Sequence, residues 1–263
     1  MHPILFSIGD FSLHTYGILG AIAFLGIAFV GIWRGRAIGL VPERVADLVF
    51  ATTLTSLFGS RVLFAIQNPD AVPDISSFFD LRAGGLVFYG ALLTGLPVGS
   101  LLMRRFGFPF FATWDIFATA MPLGHALTRV GCFAAGCCHG APADTPWAVT
   151  FTNPGSGAPL GVPLHPTQLY EAAWLALVGL IVNLRYSRRS FSGETTATYL
   201  ALYAIGRGVI EAYRGDVTRG FFLEGVLGQL LTYSQGVSLL ILAVAAAFWW
   251  VGRRTAEAAT PTA

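Results

Sequence analysis

The sequence predicts an all-α polytopic membrane protein with seven transmembrane helices, and three observations support this fold class. Only 11% of the 263 residues are charged, whereas about 25% is usual in a soluble domain. The mean hydropathy is +0.65. The apolar residues fall into seven stretches, each close to the roughly 20 residues that a helix needs to cross a bilayer core. The net charge of +2 gives no reason to expect a nucleic-acid partner.

The seven stretches account for most of the chain, so we expect a single integral membrane domain over residues 1–263. Before the first stretch, Phe6, Ile8, Phe11 and Leu13 form the apolar side of a predicted interfacial segment. Pro122 and glycines interrupt the fourth stretch, and the Pro- and Gly-rich gap at about 134–165 predicts an ordered, irregular loop. The predicted spans are roughly 14–33, 45–66, 85–103, 113–133, 166–184, 196–213 and 235–252.

The arginines predict the orientation, because cytoplasmic loops of membrane proteins carry an excess of basic residues. Ten arginines lie after spans one, three, five and seven, against three in the alternate loops. We therefore expect the N-terminus outside, the C-terminus in the cytoplasm, and the 134–165 loop in an extracytoplasmic head region. The ten are Arg34, Arg36, Arg44, Arg104, Arg105, Arg185, Arg188, Arg189, Arg253 and Arg254; the three are Arg82, Arg214 and Arg219.

A charge at bilayer depth usually faces a cavity or a partner, and five residues within the predicted spans are candidates for such a role. They are Arg61, Arg129, Glu171, Arg207 and Glu211. Arg207 and Glu211 share a helix face and are expected to pair. One interpretation is a set of structural ion pairs. The other is an anion site, since arginines outnumber glutamates and a guanidinium suits bidentate binding of a phospholipid phosphate.

Three further segments place polar groups near the membrane surface. Tyr16 lies at the outer end of span one, Tyr89 lies in "GGLVFYG" (84–90), and "LHPTQLYEA" (164–172) opens span five. Each also has a structural interpretation: interface anchoring for the aromatic residues, and close helix packing through the glycines around Tyr89.

All three cysteines lie in "RVGCFAAGCCHG" (129–140). Four interpretations of Cys132, Cys137 and Cys138 stay open: apolar packing, a disulfide from Cys132 to one of the other two, a metal site that includes His139, and a covalent relay. We expect a structural role for at least two of the thiols. The "AAG" after Cys132 is expected to end the helix and to leave Cys137 and Cys138 in the outer loop.

Taken together, the motifs resemble the prolipoprotein diacylglyceryl transferases of bacterial inner membranes. The matching segments run almost from end to end: "IGDFSLHTYG" (8–17), "GSRVLF" (59–64), "GGLVFYG" (84–90), "RVGCFAAG" (129–136), "HPTQLYE" (165–171) and "YAIGRGVIEAYR" (203–214). Within the family signature, Cys132, Ala135 and Cys137 stand where the family has Asn, Asn and Glu, Thr128 replaces a Gly, and Tyr89 replaces a usual His.

The resemblance implies a seven-span enzyme that moves the diacylglyceryl group of phosphatidylglycerol to the thiol of a lipobox cysteine in a preprolipoprotein, releasing glycerol 1-phosphate. The resemblance places Arg129 on the family's phospholipid-binding arginine and Tyr203 and Arg207 on its essential tyrosine and arginine, and Tyr16, Glu171, Glu211 and Arg214 also match family positions. We expect Arg129, Arg207, Arg61 and Tyr16 at the lipid phosphate and Tyr89, Tyr203, Arg207 and Glu171 in catalysis, with Glu211 and Arg214 as a structural ion pair. His139 joins the candidates for activating the thiol. The expected partners are phosphatidylglycerol, preprolipoproteins and the bilayer, with no cofactor or metal and a monomeric state.

Two alternatives keep the phosphate site and change the rest. One is a phospholipid-dependent transferase with a different acceptor or a cysteine relay. The other is a lipid-binding membrane protein without transfer activity.

Overall fold

A computed structural model describes residues 2–9, 11–80, 85–215 and 231–259, and within these ranges the protein is mostly helical. One 3-10 turn lies at Pro69–Ala71. The α-helices of the described residues are α1 (Thr15–Ala37), α2 (Pro42–Gln67), α3 (Ile75–Phe79), α4 (Phe88–Arg105), α5 (Phe110–Ala135), α6 (Thr167–Tyr186), α7 (Glu194–Glu211) and α8 (Tyr233–Ala259).

Each of the seven predicted spans coincides with a long helix, within a few residues at most ends. Four of these helices, α1, α2, α6 and α8, are long and apolar enough to cross a membrane. Pro122 does not interrupt the fourth span, because α5 continues through it to Ala135. The count of seven crossings and the orientation stay predictions, and Arg82 and Arg219 lie outside the described residues.

Two small sheets correct the expectation of an all-α fold. The predicted interfacial segment is an antiparallel hairpin of β1 (Ile4–Ile8) and β2 (Phe11–His14). Gly9 in its turn has φ 57°, a left-handed conformation that glycine adopts without strain.

The loop after α5 is ordered, as predicted. Its two short strands, β3 (Val149–Thr150) and β4 (Pro163–Leu164), pair antiparallel. Phe151, Ala158 and Leu164 form a small buried core that Phe133 at the end of α5 also contacts. Burial of these apolar side chains gives the loop a core of its own.

The chain divides into two compact units, Gly31–Thr113 and the combination of Met1–Val30 with Trp114–Ala263. In the first unit, α2 and α4 approach closely at Gly59 and Gly90, where an added Cβ on either residue would overlap the other helix. Gly90, next to Tyr89, therefore has the helix-packing role that the sequence offered as an interpretation.

The second unit brings α6, α7 and α8 together and contains most of α5. Gly206 on α7 lets the Trp174 indole of α6 approach, and Trp174 Nε1 donates a hydrogen bond to the Leu202 carbonyl at 2.9 Å. Asp115, fully buried on α5, accepts from the backbone N–H groups of Gly193 and Thr196 at 2.7 and 2.9 Å. A carboxylate in this position satisfies the unpaired N–H groups at the start of α7.

Candidate functional site

A buried ion pair joins α5 to α6 in the second unit. Arg129 Nη2 lies 3.0 Å from Glu171 Oε1, and the side chains are 16% and 2% exposed, respectively. Glu171 lies one turn into α6, after the Pro166 that precedes the helix. Arg129 occupies the C-terminal part of α5, six residues before its end. The pairing explains how two charges are tolerated inside apolar helices.

His125 completes this cluster, and the sequence interpretation had missed it. Arg129 Nε donates a hydrogen bond to His125 Nε2 at 3.2 Å. Since an arginine N–H can only donate, Nε2 must offer a lone pair, which makes His125 neutral with its proton on Nδ1. Glu171 Oε1 is 3.8 Å from the same nitrogen. The signal was available in the sequence: His125 precedes Arg129 by four residues and so shares its helix face.

The contacts among the described residues engage Arg129 at Nε and Nη2 and leave Nη1 without a hydrogen bond. Its partly exposed side chain therefore keeps a donor available for an anion. Two engaged donors on one rigid guanidinium also fix the direction of the remaining one.

Tyr203 and Arg207 bring α7 into the same region. The His125 and Tyr203 rings are 5.6 Å apart between centroids. One turn further along α7, Arg207 Nη1 lies 2.7 Å from Glu211 Oε2, and both side chains are buried. The predicted pairing of Arg207 with Glu211 is thus confirmed. Arg129, Glu171, Tyr203 and Arg207 belong to one compact unit, with His125 contacting members from all three helices.

Tyr16 lies against the segment that carries Arg129. A Cβ added to Gly131 would lie 3.2 Å from Tyr16 Cα and from its ring atom Cδ2. The first turn of α1 therefore packs closely on α5, and glycine at position 131 permits that approach. Tyr16 is 46% exposed, so part of the side chain faces outward.

The three cysteines meet at the end of α5. Cys132 is buried in the last turn of the helix, and Cys137 and Cys138 occupy the turn that follows Gly136, which has φ 77°. All three are free thiols, and their Sγ atoms lie within 4.8 Å of one another. The predicted end of the helix after Cys132 and the placement of Cys137 and Cys138 beyond it are confirmed.

The turn that carries the adjacent cysteines is held by the first turn of α6. Gln168 Nε2 donates to the Cys137 carbonyl at 2.7 Å, and Thr167 Oγ1 donates to the Cys138 carbonyl at 2.9 Å. Both donors are fully buried. The "HPTQLYE" motif therefore contains two anchors for this turn, a function that the sequence interpretation did not assign to them.

Cys138 has an unusual backbone conformation for a residue with a side chain. Its φ is 61°, and no other non-glycine residue in the described ranges has a positive φ. Hydrogen bonds from the Cys132 and Cys137 thiols lower the pKa of Cys138, with further contributions from the positive charges of Arg214 and Arg129. The turn after α5 thus holds the Cys138 thiol in a constrained position where its thiolate form is favoured.

His139 lies outside the thiol cluster: its Nδ1 is 3.0 Å from the Gly140 carbonyl. Gly140 also forms a bridge with Arg214, and the Arg214 backbone N–H donates to the Glu211 carbonyl at 3.1 Å. These contacts hold the end of α7 against the loop after α5. The ion pair between the Glu211 and Arg214 side chains stays a prediction.

His165 and Tyr170 of "LHPTQLYEA" form an aromatic group with Trp147 and Tyr213. Trp147 Nε1 donates to the Tyr170 hydroxyl at 2.7 Å, and His165 Nδ1 is 3.0 Å from the same oxygen. The Tyr213 ring lies 5.3 Å from His165 and 6.2 Å from Tyr170 between centroids. This group fastens the long loop to the N-terminal end of α6 and the C-terminal end of α7.

Arg61 and Tyr89 belong to the first unit, Gly31–Thr113, and make different contacts there. Arg61 donates to the carbonyls of Phe78, Gly85, Ser77 and Asp80 at 2.6–3.2 Å and is buried. Such a set of carbonyl acceptors holds the segment around α3. Tyr89 is 39% exposed and packs beside Phe88. The roles predicted for Arg61 in phosphate binding and for Tyr89 in catalysis stay predictions.

Apolar helices of membrane-spanning length, together with buried Arg–Glu pairs, define the protein as a helical membrane protein. A sequence profile described as prolipoprotein diacylglyceryl transferase matches residues 3–251. The chain therefore belongs to the prolipoprotein diacylglyceryl transferase family and is a transferase of lipoprotein biosynthesis.

Individual relatives agree with the family assignment. The chain is 31% identical to a protein of Legionella pneumophila (strain Paris), over 96% of this chain and 98% of the relative. It is 28% identical to a protein of Clostridium tetani over 93% and 95% of the two chains. A protein of Thermotoga maritima is 32% identical over 81% and 74%. All three relatives are named phosphatidylglycerol–prolipoprotein diacylglyceryl transferase.

Proposed function

We propose that this transferase takes the diacylglyceryl group from phosphatidylglycerol and attaches it to the thiol of a lipobox cysteine in preprolipoproteins. The observation that carries the proposal is the buried cluster of Arg129, His125 and Glu171, next to Tyr203 and the Arg207–Glu211 pair. It combines two arginines suited to a phosphate with an apolar helical surrounding suited to acyl chains.

The reaction forms a C–S bond and breaks a C–O bond. The acceptor thiol loses its proton, its sulfur attacks the terminal glycerol carbon of the diacylglyceryl group, and the bond from that carbon to the phosphate oxygen breaks. Glycerol 1-phosphate leaves with the bonding electrons, and the proton passes to a base or to solvent. Negative charge on the phosphate rises during this step, so a cation that contacts it stabilises the transition state more than the ground state.

Arg129 and Arg207 are the proposed phosphate ligands. Arg129 is held by Glu171 and His125, which leaves Nη1 directed by two fixed contacts. Arg207 is oriented by Glu211 on its own helix. Pre-oriented donors need no rearrangement as charge develops, which is the main advantage of such a site. Tyr16, packed on Gly131 beside Arg129, is proposed to contact the same headgroup.

Glu171 and Tyr203 are proposed to act through the cluster of Arg129 and His125. Glu171 positions Arg129 and keeps the cluster neutral, because its charge offsets that of the guanidinium. Tyr203 stands next to the neutral His125, whose Nε2 accepts the hydrogen bond from Arg129. Tyr89 and His139 remain candidates for accepting the thiol proton.

The proposed setting is the bacterial inner membrane, crossed seven times by a monomer with its N-terminus outside. The excess of arginine in alternate loops supports this orientation. This orientation would place the C-terminal end of α5 and the N-terminal end of α6 on the side from which secreted preprolipoproteins arrive. The turn that carries Cys137 and Cys138 would lie on the same side.

The proposal is tested with purified protein in lipid nanodiscs that contain glycerol-labelled phosphatidylglycerol, with and without a synthetic lipobox peptide. We expect glycerol phosphate to appear only with the peptide, and the peptide to gain the mass of one diacylglyceryl group. A matched peptide with Ser in place of the lipobox Cys should give neither product. Release of glycerol phosphate without peptide modification would show another acceptor, and absence of both products would contradict transferase activity toward this substrate pair.

A further inference from the structure

The proposed transfer reaction assigns no role to the three-thiol cluster. Cys132, Cys137 and Cys138 are all free, and their Sγ atoms lie within 4.8 Å of one another. A trigonal site with metal–sulfur bonds of about 2.3 Å, the length known for zinc thiolates, places its sulfurs about 4.0 Å apart. The observed upper limit of 4.8 Å for the Sγ–Sγ distances includes this spacing.

The backbone supports the same geometry. The Sγ atoms of the adjacent Cys137 and Cys138 lie in one cluster, and Cys138 adopts φ 61°, which costs a side-chain-bearing residue free energy. Buried hydrogen bonds from Gln168 and Thr167 to the carbonyls of Cys137 and Cys138 hold this conformation. Outer contacts that orient ligating residues are a regular feature of metal sites.

We propose that Cys132, Cys137 and Cys138 form an all-sulfur site for one soft d10 metal cation, of which Cu(I) is the probe. Thiolates select soft cations, and among the described residues no histidine or carboxylate belongs to the cluster. Three sulfurs suit Cu(I) better than Zn(II), which takes four ligands in structural sites. On binding, the three S–H bonds are lost, three S–metal bonds form, and the protons pass to the buffer. The site goes beyond the transfer reaction and does not depend on it.

A cation in this position would connect α5 to α6. Cys132 belongs to α5, and the turn of Cys137 and Cys138 is anchored on Thr167 and Gln168 of α6. Occupancy would therefore tie the end of one helix to the start of the next. Because the cation binds only the folded arrangement, it should raise the melting temperature of the protein.

The test is an anaerobic titration of the purified full-length protein with Cu(I), against a competing chromophoric chelator, after a thiol count that should give three. We expect one Cu(I) per chain, a higher melting temperature, and X-ray absorption showing three sulfur neighbours. Loss of an outer contact alone costs about 10–100-fold in metal affinity, so each of Cys132→Ser, Cys137→Ser and Cys138→Ser should cost at least about 100-fold. His139→Ala, next in sequence but outside the cluster, should bind as the unaltered protein does.

Several results would overturn the proposal. They are a thiol count of one, Cu(I) affinity no better than that of the triple Ser variant, affinity retained in any single Ser variant, or equal loss in His139→Ala. The absorption spectrum needs no variant, so fewer than three sulfur neighbours in the unaltered protein would also overturn it, even if a Ser variant failed to fold.

Discussion

Replacing Glu171 with Gln removes one charge from the buried Arg129–Glu171 pair and keeps the shape of the side chain. Removing one partner of a buried ion pair outright costs about 3–5 kcal/mol. Gln retains a carbonyl acceptor toward Arg129, and Arg129 keeps its contact with His125. We therefore expect a smaller loss, about 2–3 kcal/mol, which is near the contribution of a hydrogen bond between charged groups.

The matched control is Glu257→Gln. Glu257 pairs with Arg253 at 2.8 Å, but these side chains are 62% and 65% exposed, against 2% and 16% for Glu171 and Arg129. Water screens the exposed pair, so its loss should cost no more than about 0.5 kcal/mol. The two substitutions are chemically identical and the two ion-pair distances are similar. Any difference between the variants therefore reports the burial of the pair.

The assay is thermal unfolding in detergent, combined with phosphatidylglycerol turnover. At about 2–4 °C per kcal/mol for a chain of this size, Glu171→Gln should lower the melting temperature by roughly 4–12 °C, and Glu257→Gln by under about 2 °C. Turnover of Glu171→Gln should fall at least about tenfold, because 1.4 kcal/mol of lost orientation corresponds to that factor. Equal melting temperatures for the two variants would refute the energetic reasoning. A stability loss with unchanged turnover would refute the positioning role of Glu171.

Three other predictions follow from the same helices. Arg207→Lys should reduce lipid turnover nearly as much as Arg207→Ala, at least about tenfold, since Lys lacks the bidentate fork; wild-type turnover in the Lys variant would rule out the fork. Gly206→Ala should lower stability by about 1–3 kcal/mol in thermal unfolding, because the new methyl meets the Trp174 indole. The control Gly208→Ala, with nothing within 4 Å of its Cβ, should be neutral or more stable by about 0.5–1 kcal/mol; equal losses would contradict the packing argument. A reporter enzyme that is active only outside the cytoplasm should be inactive when fused to the C-terminus, and activity there would contradict the N-out, C-in orientation.

The positions of the long helices followed directly from the sequence, since a span of about 20 apolar residues is recognised without knowledge of its neighbours. The helix end after Cys132 was equally local, because Gly136 adopts a left-handed conformation that terminates the helix. The hairpin at Ile4–His14 was assigned only as an amphipathic segment. The alternation of apolar residues that indicates a strand was present in the sequence. The segment was nevertheless assigned from its overall amphipathic character, and the strands were not predicted.

Ion pairs between different helices were harder to predict from the sequence than pairs within one helix. Arg207 with Glu211 was predicted, since a separation of four residues on one helix brings side chains together. The partner of Arg129 was not, because Glu171 lies on a different helix and the sequence gives no register between α5 and α6. The contact of His125 with Arg129 was open to the same four-residue rule and was missed; its closeness to Glu171 on α6 depends on the tertiary structure.

The sequence by itself determined the membrane class, the helical segments and the family, because hydropathy, turn residues and motifs are properties of short stretches of chain. Only the tertiary structure decided that Arg129 contacts Glu171 and His125, that Arg61 binds backbone carbonyls, and that three free thiols converge. Those contacts depend on how helices far apart in sequence are rotated and shifted against one another. That arrangement is set by the packing of whole faces, such as Gly206 against Trp174 and Gly131 against Tyr16, and no local pattern specifies it.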